Sequence, residues 1–274
     1  MRTVLYFLLV LAGAYVAITA MAYAFQQQLV FFPSSTMATD PGAAGLAYEE
    51  VSIDTEDGET LHNWWIPAEE AVGTVVFFHG NAGNISGRVG TANFFHEHDM
   101  NVLLVSYRGY GQSTGSPSEE GLYYDAEAAW RYLTEERDLA PASVLIAGRS
   151  LGSAPATYLA SRTAPGGLLL ESPFTSLTDV GARAYPILPV RWLSRFEFDN
   201  EARIGQVDAP VLMIHSPDDE VVPYDLGRTL FAAVSEPKTF VDIRGGHNAM
   251  RTDQAAYRQA VQAFIDEHWP TSNE

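Results

Sequence analysis

Five short runs constrain this chain more than anything else in it: GTVVFFHG (73–80), NVLLVSY (101–107), SVLIAG (143–148), GGLLLES (166–172) and PVLMIHS (210–216). Each is almost continuously apolar yet too short for a buried helix, the signature of a strand covered on both faces. Segments of helical spacing lie between them. Ile85 to His98 carries Val89, Phe94 and Phe95. PSEEGLYYDAEAAWRYLTEER (117–137) opens on Ser118 as a cap and lines up Leu122, Ala126, Ala129, Trp130 and Leu133. LGSAPATYLASR (151–162), YDLGRTLFAAV (224–234) and DQAAYRQAVQAFIDEHW (253–269) are further helices, and KTFVDI (238–243) is a last strand. Upstream, from about Glu49, VSIDT and TLHNWWIP alternate as an antiparallel pair does. Strands alternating with helices predict an α/β fold: a mostly parallel sheet with helices on both faces and right-handed crossovers. In such sheets ligands bind at the carboxyl ends of the strands.

A different constraint governs the amino end. From Val4 to Phe25 there are 22 residues without a charge, long enough as a helix to cross the ~30 Å hydrocarbon layer. Ala22-Tyr23-Ala24 resembles a processing site, but the apolar region of a signal peptide runs only ~7–15 residues, which favours an uncleaved anchor over residues 1–26. Arg2 and the amino terminus precede the span and Gln26 to Gln28 follow it, a bias that puts the amino end in the cytoplasm and the remaining chain on the periplasmic or extracytoplasmic side. Next, LVFFPSS (29–35) reads as an apolar clamp, and the Gly/Pro/Ala-rich residues that complete 27–48 read as a surface linker. The remaining residues, 49–270, are enough for one domain with a well-filled core.

The net charge of −18, with one lysine (Lys238), would repel a polyanion, so nucleic acid is not an expected partner. A solvated acidic surface accounts for the excess of carboxylates. The absence of cysteine excludes disulfides, zinc–thiolate sites and thiol catalysis.

Chemistry concentrates where three strands end. Gly148-Arg149-Ser150-Leu151-Gly152 fits G-x-S-x-G between a predicted strand and a predicted helix, a turn that lifts the hydroxyl above the sheet beside the positive end of a helix. A serine nucleophile needs a base, and the base needs an orienting acid. Asp219 lies in the loop after the strand ending at His215, and His247 in the glycine-rich loop RGGHNAM after the last strand. Asp218 competes for the role of acid and could equally cap a turn. The order Ser150, Asp219, His247 is the one G-x-S-x-G hydrolases use. Backbone N–H groups of Leu151 and Asn81 (in HGNAGN) are the expected oxyanion donors, with His79 bracing the loop. Tyr107, Arg108 and Tyr110 are read as ordering the neighbouring loop. HEHD (96–99) invites a metal reading, but His96 and His98 fall on different helix faces, so a solvated helix end is expected.

These features resemble the α/β-hydrolase superfamily, and within it the membrane-anchored abhydrolase-domain proteins. The resemblance covers about Leu29 to Trp269 and rests on FFHGNAGN, YRGYGQSTGSPSEEGL, GRSLGS, ESPFTSL, YPILPVRW and DEVVP…GGHN. It implies a serine hydrolase with Ser150 as nucleophile, Asp219 as acid and His247 as base, and no metal or organic cofactor. Relatives include esterases, thioesterases acting on acylated proteins, and peptidase-like members. One departure is Ser216, where relatives commonly have glycine. The aromatic, proline-broken stretch AYPILPVRWLSRFEF falls within 176–208, which reads as a short lid or acyl-binding wall; a large lid domain does not fit there. The substrate expected is a small molecule, a lipid or an acylated protein, with the membrane as a partner through the amino-terminal helix. A non-catalytic binding or scaffolding protein on the same fold is the alternative from another class. Haloalkane or epoxide chemistry would need an aspartate in place of Ser150.

Overall fold

The computed structural model describes residues 1–249 and 254–269. The domain boundary expected at residue 270, Met250 and the expected helix start at Asp253 lie outside the described residues. Eight strands form one sheet: β1 (Glu49–Asp54), β2 (Thr60–Ile66), β3 (Gly73–Phe78), β4 (Met100–Val105), β5 (Val144–Arg149), β6 (Gly167–Glu171), β7 (Val211–His215) and β8 (Lys238–Asp242). Their spatial order is β1-β2-β4-β3-β5-β6-β7-β8. The pairs β1–β2 and β2–β4 are antiparallel. All the others are parallel, with Phe78 level with Gly148, and Arg149 with Glu171.

Period-two alternation divides the central strands between two cores. Val75, Phe77, Leu145, Ala147, Leu169 and Leu212 face helices α2 (Val89–His96) and α8 (Gln254–His268), where Phe95, Val261 and Phe264 meet them. Val76, Phe78, Ile146, Leu168, Leu170 and Met213 face α3 (Glu119–Arg131) and α4 (Ser153–Ala160). Both faces are dry, which is why these strands read as unbroken apolar runs. Burying one such Leu or Ile is worth roughly 1.5–3 kcal/mol. At the start of α3 the Ser118 hydroxyl accepts from the Gly121 N–H and satisfies one of the free donors of the first turn. The segment expected to be helical from Ile85 begins instead as a 3-10 turn over Ile85–Arg88, because the Asn84 side chain accepts from the Ser86 N–H and fixes a tighter entry.

Helix α1 (Arg2–Ala24) is apolar on every side and buries none of its residues in the protein. The segment expected as an apolar clamp (29–35) docks on the body: Phe31 is buried edge-on against Phe196 and Phe198, Phe32–Pro33 pairs with Ala82–Gly83, and the Asn84 amide donates to the Ser34 carbonyl. The start of the stretch expected as a surface linker is docked too, the Asn84 amide donating to the Thr36 carbonyl and Ser86 Oγ accepting from the Ala38 N–H. Composition marked Thr36 and Ala38 as part of a turn-forming run; hydrogen bonds to a partner about fifty residues away hold them down. Between β6 and β7 lie three short helices: α5 (Leu177–Ala184) and α6 (Val190–Leu193), neither with a fully buried residue, and a single turn at Glu201–Ile204 that buries Ile204. Helix α7 (Tyr224–Ala232) follows β7.

Candidate active site

Ser150 sits where β5 turns into a 3-10 turn (Ser150–Gly152) leading straight into α4. Its φ is +52°, a left-handed conformation that costs a β-carbon-bearing residue roughly 1–3 kcal/mol and clusters at functional turns. The flanking glycines are sterically required. A β-carbon on Gly152 would lie 2.1 Å from the Phe78 carbonyl oxygen, and one on Gly148 2.3 Å from the Gly152 carbonyl oxygen. The turn is thus pressed directly onto the end of β3.

Three strand ends bring their side chains together there. His247 Nε2 lies 3.0 Å from Ser150 Oγ, and His247 Nδ1 lies 2.8 Å from Asp219 Oδ2. Since a carboxylate only accepts, Nδ1 carries the proton and Nε2 is left to accept from the hydroxyl. Asp218 turns its backbone N–H to Ser216 Oγ, and its carboxylate takes no part in the contact with His247. Ser216 therefore caps the acid loop, also accepting the Asp219 N–H at its carbonyl.

Asp219 is buried, and burial alone would raise its pKa. Hydrogen bonds from His215 and His247, the charge of His247 and the Val222 N–H prevail and hold it well below the usual carboxylate range. Its Oδ1 accepts from the N–H groups of Val221 and Val222, and its Oδ2 from Ser172 Oγ. His215 Nε2 lies 3.3 Å from Oδ2. Sequence reasoning missed Ser172 and His215 as partners of the acid; their position at the ends of β6 and β7 was the available signal.

His247 is held by its backbone as well. The His247 N–H donates to Glu220 Oε2 (2.9 Å), and its carbonyl accepts from the Arg149 guanidinium (2.8 Å). Arg149, adjacent to Ser150, also lies 4.0 Å from the buried carboxylate of Glu171, which accepts from the Tyr257 hydroxyl. The residue before the serine and the loop bearing the histidine thus share one clamp.

Asn81 and Leu151 both line the cavity that Ser150 faces. The Asn81 side chain donates to the Val30 carbonyl, and its own carbonyl accepts from the Tyr110 hydroxyl and the Phe32 N–H. Those bonds commit its other polar groups to holding the loop. His79 donates from Nδ1 to the Gly80 carbonyl and packs on the rings of Tyr107 and Tyr110, while the Tyr107 hydroxyl donates to the His79 carbonyl. Burial, aided by the charge of Arg88, pushes the His79 pKa down to about 3, so this imidazole is neutral. Arg108 is anchored away from the cavity by Asp57 and Asp125. In the HEHD stretch, His96 meets the Pro67 carbonyl and His98 that of Phe94; His98 is buried against the Phe94 ring and not solvated as expected.

The cavity measures about 460 Å³ and is overwhelmingly apolar. Phe174, Leu177, Val180 and Leu188 come from the segment between β6 and β7, Val221 and Val222 from the acid loop. Thr19, Ala22 and Tyr23 of α1 complete the wall.

Comparison with known proteins identifies the family. A family profile described as "Serine aminopeptidase, S33" matches residues 69–200. An Arabidopsis thaliana protein named alpha/beta hydrolase domain-containing protein WAV2 is 32% identical over 260 residues, covering 85% of this chain and 84% of its own. The chain belongs to the α/β-hydrolase family. Other relatives of this α/β hydrolase include an uncharacterized Mycobacterium tuberculosis protein, 39% identical over 88% of each chain. An uncharacterized membrane protein of Saccharomyces cerevisiae is 33% identical over 93% of this chain and 95% of its own. Among solved structures, a Pyrococcus furiosus esterase superposes with a TM-score of 0.73 at 18% identity, covering 88% of this chain and 98% of that one. At that identity the likeness establishes the α/β-hydrolase fold alone.

Proposed function

We propose that this protein is a membrane-anchored serine hydrolase that cleaves acyl esters through an acyl-enzyme. The observation carrying the reading is the chain of two contacts, 3.0 Å from Ser150 Oγ to His247 Nε2 and 2.8 Å from His247 Nδ1 to Asp219 Oδ2. Ser150 Oγ bonds to the acyl carbon as its proton passes to His247 Nε2. Asp219 holds the ring and balances the imidazolium. The N–H groups of Leu151 and Asn81 receive the negative charge of the tetrahedral intermediate, a contribution of roughly 3–4 kcal/mol per well-placed donor. The intermediate collapses by breaking the carbon–oxygen bond, and the alcohol leaves with the proton from His247. Water then gives a proton to His247 and its hydroxyl to the acyl carbon; the acid departs and Ser150 regains its proton. A thioester would follow the same path with a thiol leaving.

The cavity favours an acyl ester over an aminopeptidase substrate. Gripping a free α-amino group calls for a carboxylate, and the residues lining the cavity include no Asp or Glu among the described residues. In this reading residues 1–26 are the anchor, 27–48 a tether docked on the body, and 49–270 the catalytic domain facing the extracytoplasmic side. The apolar helix α1 supports the anchor, and Arg2 ahead of it supports the orientation. Purified full-length protein is expected to hydrolyse fluorogenic acyl esters, and Ser150→Ala to lose that activity with an unchanged circular dichroism spectrum. Equal turnover by the variant rejects Ser150 as the nucleophile, and no turnover by either protein leaves a non-catalytic binding role.

A further inference from the structure

The helix that anchors the protein is also a wall of its binding cavity, and its length fixes how close the body must sit to the bilayer. At ~1.5 Å per residue, the 23 residues of α1 span about 34 Å, enough for the ~30 Å hydrocarbon layer. Contacts with the body begin at Tyr15, whose hydroxyl donates to the Ile187 carbonyl, and continue through Thr19, Ala22 and Tyr23 along the cavity. The Gln26 side chain then donates to the Leu193 carbonyl and accepts from the Arg195 N–H. Only residues 2–14 stand clear, and thirteen residues reach about 20 Å. About 10 Å of the hydrocarbon layer therefore has to be spanned where α1 already lies against the segment joining α5 and α6.

That segment is built for such a place. Trp192 is 90% exposed and Ile187 78%, and Tyr185 is exposed beside them, an apolar patch on an otherwise charged surface. Within Leu177–Phe196 there are three arginines (183, 191, 195); Arg191 pairs with Asp179 and Arg183 with Asp225 of α7, so the three arginines and their two paired carboxylates leave a net of +1 in a chain of net −18. A bilayer with aromatic anchors at its interface and anionic headgroups above matches both properties.

Resting on the hydrolase reading, we infer that α5, α6 and their connection dip into the membrane and that the substrate is a long-chain acyl ester of a bilayer lipid, which slides in along α1 without crossing water. The cavity of about 460 Å³, apolar along α1 and α5, has room for a long acyl chain.

The native chain has no cysteine, so single labels are clean. Full-length Ile187→Cys and Trp192→Cys carry an environment-sensitive fluorophore in phosphatidylcholine/phosphatidylglycerol vesicles containing a nitroxide-labelled lipid; Glu70→Cys, exposed ahead of β3 at the amino edge of the sheet opposite the cavity, is the control. Both lid positions are expected to show blue-shifted emission and at least threefold stronger quenching than position 70. Quenching equal to that of Glu70→Cys overturns membrane insertion, whatever the enzyme's activity. In the same vesicles, umbelliferyl palmitate is expected to exceed the butyrate in kcat/KM by tenfold or more, and Ala22→Trp to lower that ratio at least tenfold. An unchanged ratio in Ala22→Trp overturns the acyl path along α1. Turnover of a palmitoylated peptide with none of a phospholipid overturns the lipid assignment in favour of an acylated protein.

Discussion

The floor and the roof of the cavity are made to different standards. Below, the turn at Ser150 is wedged against the Phe78 carbonyl with no space for a single added carbon, and every group around Asp219 and His247 is tied to another strand end. Above, α5 and α6 bury no residue fully and rest on α1 through side-chain-to-carbonyl hydrogen bonds. Close-packed backbone holds reacting atoms within tenths of an ångström; loosely packed side chains can change shape without disturbing them. In the proposed reading, chemistry belongs to the floor and choice of acyl chain to the roof.

The floor is where substitutions should cost most. Ser150→Ala is expected to lower kcat by about 10⁵–10⁶-fold in an ester assay with no loss in Tm, because it removes the nucleophile and nothing that packs. Asp219→Asn should cost about 10³–10⁴-fold, by letting the imidazole turn its wrong nitrogen to the serine, and Asp218→Asn less than tenfold. The reverse ranking would reassign the acid.

Further from the reaction, His79 tests the rigidity of the floor through pH. Its folded pKa, about 3, lies below the ordinary value of 6.5, so between those values the unfolded chain binds a proton that the native protein does not. Stability is therefore complete above pH 6.5 and falls by up to a few kcal/mol as pH drops towards 3. Asp219, also depressed, adds to the loss only below its unfolded value of about 4. Urea unfolding at a series of pH values should show the slope between 6.5 and 4 flattened by about one proton in His79→Asn.

The roof should answer with the smallest effect. Val180→Trp is expected to move preference towards shorter acyl chains by about tenfold, with Tm within a degree or two of wild type. A large drop in Tm would mean that the roof is packed as tightly as the floor.

The parts legible in the sequence were those set by local pattern. The runs at 73–80, 143–148 and 166–172 announce doubly covered strands because both of their faces are buried, and Ser118 announces a helix start because capping acts over three residues. Gly148 and Gly152 marked the tight turn for the same reason. The candidate site was legible as three strand ends in order. Its distances were not, and neither was the second layer of Ser172, Glu220 and Arg149, since each meets its partner across the sheet edge with no fixed spacing to betray it; His215 reaches Asp219 only four residues on, and its place at a strand end was the one signal. The contact of Tyr15 with Ile187 joins residues 172 apart, and nothing in either neighbourhood encodes it. Composition likewise took the stretch after the apolar clamp, from Thr36, for a surface linker, although Asn84 and Ser86 bind the backbone of Thr36 and Ala38 within it.

The central claim is that His247 and Asp219 arm one hydroxyl, that of Ser150. Treating the full-length protein with a fluorophosphonate and mapping the adduct by mass spectrometry tests it most directly. The account predicts a single modification on Ser150, within the tryptic fragment 150–162, and its loss in His247→Ala. An unmodified Ser150, or an adduct on another serine, would contradict it.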